Sequence, residues 1–263
     1  MKAIRLRTEY LKNPMGIDIP APRLFWNCQG GVRQTAYQIT AETGGSVIWD
    51  SGRVESAQMT HIPYGGTHSS RQRVEWKVRV WDENGTEGPW SEPAFFEMGL
   101  LKPEDWSARW ISGDYRVDKK ARYPVDCFRR TFSAGNIVKA RLYASACGLY
   151  EGRLNGERIG DFVLAPGHTD YRKRVQYQTY DVTALLREGE NELTFQLADG
   201  WYRGSCGAWG LRNQYGVQTK LLAQLELTDK SGRVTTVSTD GSWDWSNDGP
   251  IRFADNQDGE IVD

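Results

Sequence analysis

Apolar and polar residues alternate with a period of two through the first hundred residues. The segments "AYQITAE" (36–42) and "VEWKVRVW" (74–81) place apolar side chains on one face and polar ones on the other, as half-buried strands do. The Asn84-Gly85 pair that follows is a hairpin-turn signal. No segment of this region has a sustained helical period. Short strands with turns between them predict a fibronectin-III/immunoglobulin-like sandwich over residues 1–98.

The same pattern returns in the rest of the chain. The segments "CFRRTF" and "VKARLYASA" are strand-like, and Asn155-Gly156 separates two short strands in the way a tight hairpin does. Residues 107–263 therefore predict a jelly-roll (galactose-binding-like) β-sandwich. Residues 99–106 between the two regions are predicted to be a short linker that joins docked domains. The predicted fold class is all-β.

Charge and composition exclude several classes of function. The 33 basic and 34 acidic residues nearly cancel, with no long run of like charge, so we expect no nucleic-acid partner. No apolar run approaches the ~18 residues of a membrane span, and the N-terminus has no apolar signal segment. We expect no membrane partner and a cytoplasmic location, unless a leader has been removed. The four cysteines form no CxxC pair, so no metal site is expected from them.

The segment "LADGWYRGSCGAWG" (197–210) concentrates glycines, aromatic rings and charges directly after a strand-like run. One hypothesis is a sugar-binding platform, where a ring stacks on a deoxysugar and charged side chains bond its hydroxyls. The alternative is a packed turn whose tryptophan closes one end of the sandwich, with glycines at positive-φ positions. The residues of the sugar-binding hypothesis are Asp199, Trp201, Tyr202, Arg203 and Trp209.

A second candidate is the segment "APGHTDYRKRVQYQTYD" (165–181). Four of its side chains could border a ligand or a further domain. The alternative is a long crossover loop that its tyrosines hold against the sheet. The four candidate residues are His168, Asp170, Tyr171 and Arg172.

Six long segments carry ordered, unusual motifs: "EYLKNPMGIDIPAPRLFW" (9–26), "WDSGRV" (49–54), "FFEMGLL" (95–101), "LNGERIGDFVLAPGHTDYRKRVQYQTYDVT" (154–183), "ADGWYRGSCG" (198–207) and "GPIRFADNQDGEIVD" (249–263). Together they resemble the bacterial α-L-rhamnosidases of glycoside hydrolase family 78. The first three resemble that family's opening fibronectin-type domain, and the others resemble the β-sandwich that follows it.

The resemblance implies where the chemistry of such an enzyme lies. Family members cleave terminal α-L-rhamnosides with inversion, using paired carboxylates in a later helical (α/α)6 barrel. No helical region of that size exists in this sequence, so we expect no catalytic residue in it. The chain is expected to be an N-terminal accessory region that is inactive alone. Its implied partners are a C-terminal catalytic domain of the same parent chain and a rhamnose-containing glycan; the alternative is a purely structural scaffold.

The resemblance also raises calcium as a ligand. Some relatives use a sandwich similar to carbohydrate-binding module family 67, which holds calcium against sugar hydroxyls. The nearest candidate ligand here is Asp199, and Gly200 after it brings no side-chain oxygen. Because calcium takes six to eight oxygen ligands, we expect no cofactor, with calcium as the less favoured alternative.

Overall fold

Two compact units make up the structure, which is a computed structural model that describes residues 1–207 and 209–263. The first unit is Met1–Trp106 and the second is Ser107–Asp263. The segment predicted as a linker, 99–106, lies in the first unit, where Leu100 is buried. In the same segment the Asp105 carboxylate accepts hydrogen bonds from Ser70 and Arg71.

The first unit consists of strands in two sheets. A three-stranded sheet has the order β1-β3-β7, and a second sheet has the order β2-β9-β8-β4-β5, with β6 also pairing with β4. The strands are β1 (Lys2–Thr8), β2 (Met15–Ile17), β3 (Arg23–Gln29), β4 (Ala36–Thr43), β5 (Ser46–Asp50), β6 (Val54–Glu55), β7 (Ile62–Pro63), β8 (Arg73–Trp81) and β9 (Ala94–Met98). A 3-10 turn, Pro103–Asp105, follows.

The core of this unit follows from the alternation in β4 and β8. Val74, Trp76 and Val78 of β8 are almost fully buried, whereas the residues between them keep part of their surface in water. Leu24 and Trp26 of β3 belong to the same buried cluster. Burial of one such side chain contributes roughly 1.5–3 kcal/mol, so this stripe selects the register of the strand.

The second unit also consists of two main sheets. Their orders are β13-β12-β15-β10-β18 and β14-β11-β16-β17, and β19 and β20 form a separate hairpin. The elements are β10 (Asp126–Ala134), β11 (Ile137–Cys147), β12 (Leu149–Leu154), β13 (Glu157–Arg158), β14 (Gln178–Asp181), a 3-10 turn (Thr183–Leu185), β15 (Gly189–Ala198), α1 (Gly200–Arg203), β16 (Lys220–Asp229), β17 (Val234–Ser238), β18 (Asp244–Ser246), β19 (Ile251–Asp255) and β20 (Gly259–Val262).

One core cluster lies between these sheets. It includes Phe128 and Phe195 from the five-stranded sheet and Leu142 and Leu225 from the four-stranded sheet. The Asn155-Gly156 hairpin is confirmed, because Leu154 pairs with Glu157 across the turn and both turn residues have positive φ. The all-β prediction is confirmed. Within the described ranges, no helix has the length and apolar character needed to cross a membrane.

Candidate functional site

The chain after β15 turns sharply at Gly200, and this turn requires glycine. Its φ is +54°, and a Cβ there would lie 2.6 Å from Cγ of Leu149. The turn places Asp199 at the end of the sandwich, where it is 1% exposed. Its Oδ1 accepts from Nε of Arg203 at 2.7 Å and its Oδ2 accepts from Nη2 of Arg212 at 2.7 Å. Each carboxylate oxygen therefore has a guanidinium partner.

Arg203 is also buried, at 2% exposure, and continues this network inward. Its Nη1 donates to the hydroxyl of Tyr115, whose own hydroxyl donates to Asp126, and its guanidinium lies over the ring of Tyr123. Burial alone would lower the pKa of Arg203, but the Asp199 carboxylate and Tyr115 hold that pKa above its ordinary value, so the guanidinium stays charged. Burial raises the pKa of the Asp126 carboxyl.

This geometry does not support the predicted role of Asp199 and Arg203 as ligands of sugar hydroxyls. A buried charge pair is costly to open, because each charge would lose its partner in a poorly solvated site. The two residues instead fix the turn after β15.

The aromatic residues of the two candidate segments come together in one cluster. The ring of Trp201 stacks on His168, with centroids 5.3 Å apart. Tyr171 contacts Tyr202 and Tyr215, at centroid distances of 5.3 Å and 5.1 Å. The Tyr171 hydroxyl donates to the carbonyl of Gly167 at 3.0 Å, and burial raises the pKa of Tyr171 to about 12.

The charged residues of the second segment lie at the surface. Asp170 and Arg172 form an exposed ion pair at 3.0 Å, and the Arg172 guanidinium also lies over Tyr215. Trp209 is the most exposed of the predicted residues, at 87%. Trp201 and Tyr202, by contrast, are half-buried. The predicted set divides into a buried ion pair, an exposed ion pair, an aromatic cluster and one exposed indole.

A cleft of about 730 Å³ opens beside this cluster. Trp201 is the only residue of the predicted set among those that line it. Its lining includes the loop 162–164, Glu151 and Gln196 of the five-stranded sheet, and residues of the β19–β20 hairpin. Asp255 at the hairpin turn accepts from the backbone N–H of Ser205, which ties the hairpin to the chain after α1.

The sides of this cleft expose unusually large apolar side chains. Phe162, Val163 and Leu164, which line it, are 49%, 67% and 49% exposed. We call these three residues the apolar rim. Contiguous exposed apolar surface in a folded domain marks a binding surface for another molecule or domain.

Comparison with known proteins connects both units to one family. Residues 3–102 match the "Rha78A-like, N-terminal immunoglobulin domain" and residues 135–263 match the "Alpha-L-rhamnosidase N-terminal domain". An α-L-rhamnosidase of Formosa agariphila is 34% identical over 97% of this chain and 30% of its own length. The crystal structure of the Aspergillus terreus α-L-rhamnosidase is similar over 99% of this chain and 31% of that chain, with a TM-score of 0.92 and 35% identity.

The chain carries the N-terminal domains of the α-L-rhamnosidase family. A third relative, the Streptomyces avermitilis α-L-rhamnosidase solved in complex with L-rhamnose, is 26% identical and superposes with a TM-score of 0.92 over 100% of this chain and 42% of that chain. The chain spans about 30% of the length of the Formosa relative that it matches. The resemblance and the immunoglobulin-like character of the first unit are confirmed.

The described residues of the chain offer little for calcium. The two oxygens of Asp199, the nearest predicted ligand, are taken by arginines. No group of three or more His, Cys, Asp and Glu side chains in the described ranges is placed to hold a metal ion.

Most residues that line the cleft were not predicted from the sequence. The signal that could have found it is "FVL" (162–164), a run of three apolar residues without strand alternation, between glycine and proline. A loop has no regular apolar face of its own, so nothing local would bury such a run. Gln196, which also lines the cleft, has no sequence signal, because it occupies an ordinary outward-facing position in the alternation of β15.

Proposed function

We propose that the chain is the N-terminal accessory region of an α-L-rhamnosidase, and that its second unit supports the catalytic domain by packing against it at the apolar rim. Family membership and the small share of each relative that the chain spans support this proposal. The catalytic domain of the relatives' family is the occupant that these observations favour for the rim.

The observation that carries the proposal is the exposure of the rim. Three large apolar side chains, all at least 49% exposed, follow one another along the chain at one cleft. Since full burial of such a side chain contributes roughly 1.5–3 kcal/mol, covering the exposed part contributes about 1 kcal/mol each. A neighbouring domain would gain this free energy on packing there, together with the polar contacts that Glu260 and Asn256 can offer at the edge.

Three carboxylates line the cleft, those of Glu151, Asp255 and Glu260. An inverting enzyme needs one protonated acid and one base about 6.5–9.5 Å apart. Glu151 lies 2.8 Å from a nitrogen of Arg153 and 3.2 Å from one of Arg158. Asp255 accepts from backbone N–H groups of Ser205 and Gln257. Two of the three carboxylates are therefore already engaged by groups of the chain itself.

A pair of matched substitutions tests the packing proposal. Val163→Ser removes an apolar side chain of the rim, and Val138→Ser removes an equally apolar one, 52% exposed, at β11 outside the cleft. In the full-length protein that its gene encodes, Val163→Ser should lower the melting temperature and Val138→Ser should not. In the 263-residue chain alone neither should. Equal effects of the two substitutions in the full-length protein would contradict the proposal.

A second candidate function is weak binding of rhamnose by this unit. The observation that favours it is the ring of Trp201, which lines the cleft and could stack on a sugar. The polar partners would then be Glu151 and Gln196, and not Asp199 or Arg203. A monosaccharide has about eleven heavy atoms, and at ~0.3 kcal/mol per atom its affinity would be roughly millimolar.

Calorimetric titration of the chain with L-rhamnose, with and without calcium, separates this candidate from a pure scaffold. Binding at tens of millimolar that Trp201→Ala abolishes supports a rhamnose site in the cleft. Heats no larger than those of dilution leave the scaffold role alone. Binding only with calcium would favour the calcium-dependent alternative.

A further inference from the structure

A second cleft, in the first unit, is lined by positive charge. It has a volume of about 360 Å³ and lies between β1 and the start of β9. Lys2, Arg5, Arg7 and Lys12 line it, and Glu92 is its one lining carboxylate. Glu92 lies 3.3 Å from Lys2 and is itself 89% exposed. Four cations against one carboxylate is a local excess in a chain whose net charge is −1.

Three of these cations have no carboxylate partner, a feature that they share with Arg33 but not with most arginines of the same unit. In residues 1–106, all of which are described, Arg53, Arg73 and Arg79 each pair with a glutamate. Arg7 donates to the backbone carbonyl of Tyr10, and Arg5 and Lys12 make no hydrogen bond with any described residue. Their positive charge is therefore free to attract an anion.

The backbone of this segment is held in an unusual conformation that aims the cations outward. Pairing of β1 with β3 shifts register between Ile4 and Arg7, and Arg5 has φ +54°. This bulge lets Leu6 pack against the core while Arg5 and Arg7 stay exposed. Glu9, Tyr10 and Asn13 also have positive φ. Non-glycine residues in this region cost free energy, and they concentrate at binding sites.

Neutral donors complete the site. The Oδ1 atom of Asn13 accepts from the backbone N–H of Phe95, which leaves the Asn13 amide NH2 free to donate into the cleft that it lines. Since β1 is the edge strand of its sheet, one side of its backbone is not paired with another strand. Guanidinium, ammonium and amide donors around one concavity suit oxyanions such as carboxylates and sulfates.

We infer that this cleft binds an anionic group of a saccharide, a carboxylate or a sulfate ester, on the glycan that the enzyme acts on. The choice of a saccharide as the carrier of the anion rests on the proposed function; the anion site itself does not. The first unit would then select charged glycans, separately from any contact that the second unit makes.

Calorimetry of the 263-residue chain at low salt with three probes of equal length tests this inference. The probes are tetragalacturonate, a sulfated maltotetraose and neutral maltotetraose. We expect a charged probe to bind and the neutral one not to bind, and the tighter charged probe identifies the group. Binding should weaken as the salt concentration rises, because salt screens exposed charges. Equal binding of the neutral probe would overturn the inference, as would no binding of either charged probe.

Substitutions locate the binding. Replacing Arg5, Arg7 and Lys12 together by Gln should weaken binding of the charged probe by at least about tenfold, because three charged donors are lost. Arg33→Gln, at another exposed arginine of this unit with no carboxylate partner, should leave the affinity unchanged. An unchanged affinity in the triple variant would overturn the assignment to this cleft.

Binding of tetraglutamate as tight as that of tetragalacturonate would overturn the choice of a saccharide. The rim substitutions test the proposed function independently.

Discussion

Asp199 shows how a residue that suits ligand binding by type can belong to the interior. Its carboxylate holds Arg203 and Arg212 at the turn after β15, and Arg203 then reaches Tyr115. An aspartate and an arginine four residues apart beside two tryptophans resemble a sugar site in the sequence. The sequence does not show that both charges point inward, since their direction depends on the turn at Gly200.

Removal of the Asp199 charge should destabilise the second unit strongly. Asp199→Asn leaves the buried Arg203 without its carboxylate, and breaking such a pair costs about 3–5 kcal/mol of unfolding free energy. Asp170→Asn breaks an exposed pair with Arg172 and serves as the control, for which little change is expected. Urea denaturation followed by circular dichroism measures both. A midpoint for Asp199→Asn that matches the Asp170→Asn midpoint would refute the structural role of the pair.

Tyr171 should contribute to the loss of stability at alkaline pH. Burial, followed by the nearby Cys147, raises its pKa from 10 to about 12 in the folded chain. The unfolded chain therefore loses this proton first, and the stability that Tyr171 contributes is complete below pH 10 and falls as the pH rises towards 12.

The measurement compares wild type with Tyr171→Phe in urea at pH 9 and pH 11. Loss of the hydrogen bond to Gly167 affects the variant at both pH values, so the difference between them reports titration alone. The variant should lose less stability between the two conditions than wild type. An equal loss would mean that Tyr171 titrates normally in the folded chain.

At the scale of elements, the strands were predictable and the walls of the cleft were not. Alternation identifies β4 and β8 because one buried face repeats at every second residue, and the Asn155-Gly156 turn fixes a hairpin locally. The loop 162–164 and the β19–β20 hairpin have no such internal pattern. They become walls of one cleft only through tertiary packing, including the bond from Ser205 to Asp255.

The junction of β15 with α1 should tolerate no side chain at Gly200. A left-handed conformation costs an L-residue about 1–2 kcal/mol, and the overlap with Leu149 adds a typical overpacking cost of about 1–3 kcal/mol. Gly189, which begins the same strand at φ +87° with open space around its Cβ position, is the matched control.

Thermal unfolding of Gly200→Ala and Gly189→Ala measures the difference. The positive φ destabilises both variants. Only Gly200→Ala adds the steric overlap with Leu149, so its melting temperature should be the lower one. Equal melting temperatures would show that Leu149 and the neighbouring backbone move aside without cost.

At the scale of the whole molecule, the two proposed contact surfaces lie in different units. The first unit contains the positively charged cleft and the second contains the apolar rim. Charge attracts and selects at long range, whereas apolar burial stabilises a fixed contact. These are different tasks.

The chain alone should not hydrolyse an aryl α-L-rhamnoside. The family resemblance implies that the paired carboxylates of such an enzyme lie in a later helical barrel. In this chain Glu151 lies within 3.2 Å of nitrogens of Arg153 and Arg158, and Asp255 accepts from the backbone N–H of Ser205. Hydrolysis is measured as the absorbance of the released aryl group, in parallel with a full-length family member at equal concentration. Turnover within about tenfold of that enzyme would require an acid–base pair in these residues, and loss of that turnover in Glu151→Gln would place it in the cleft.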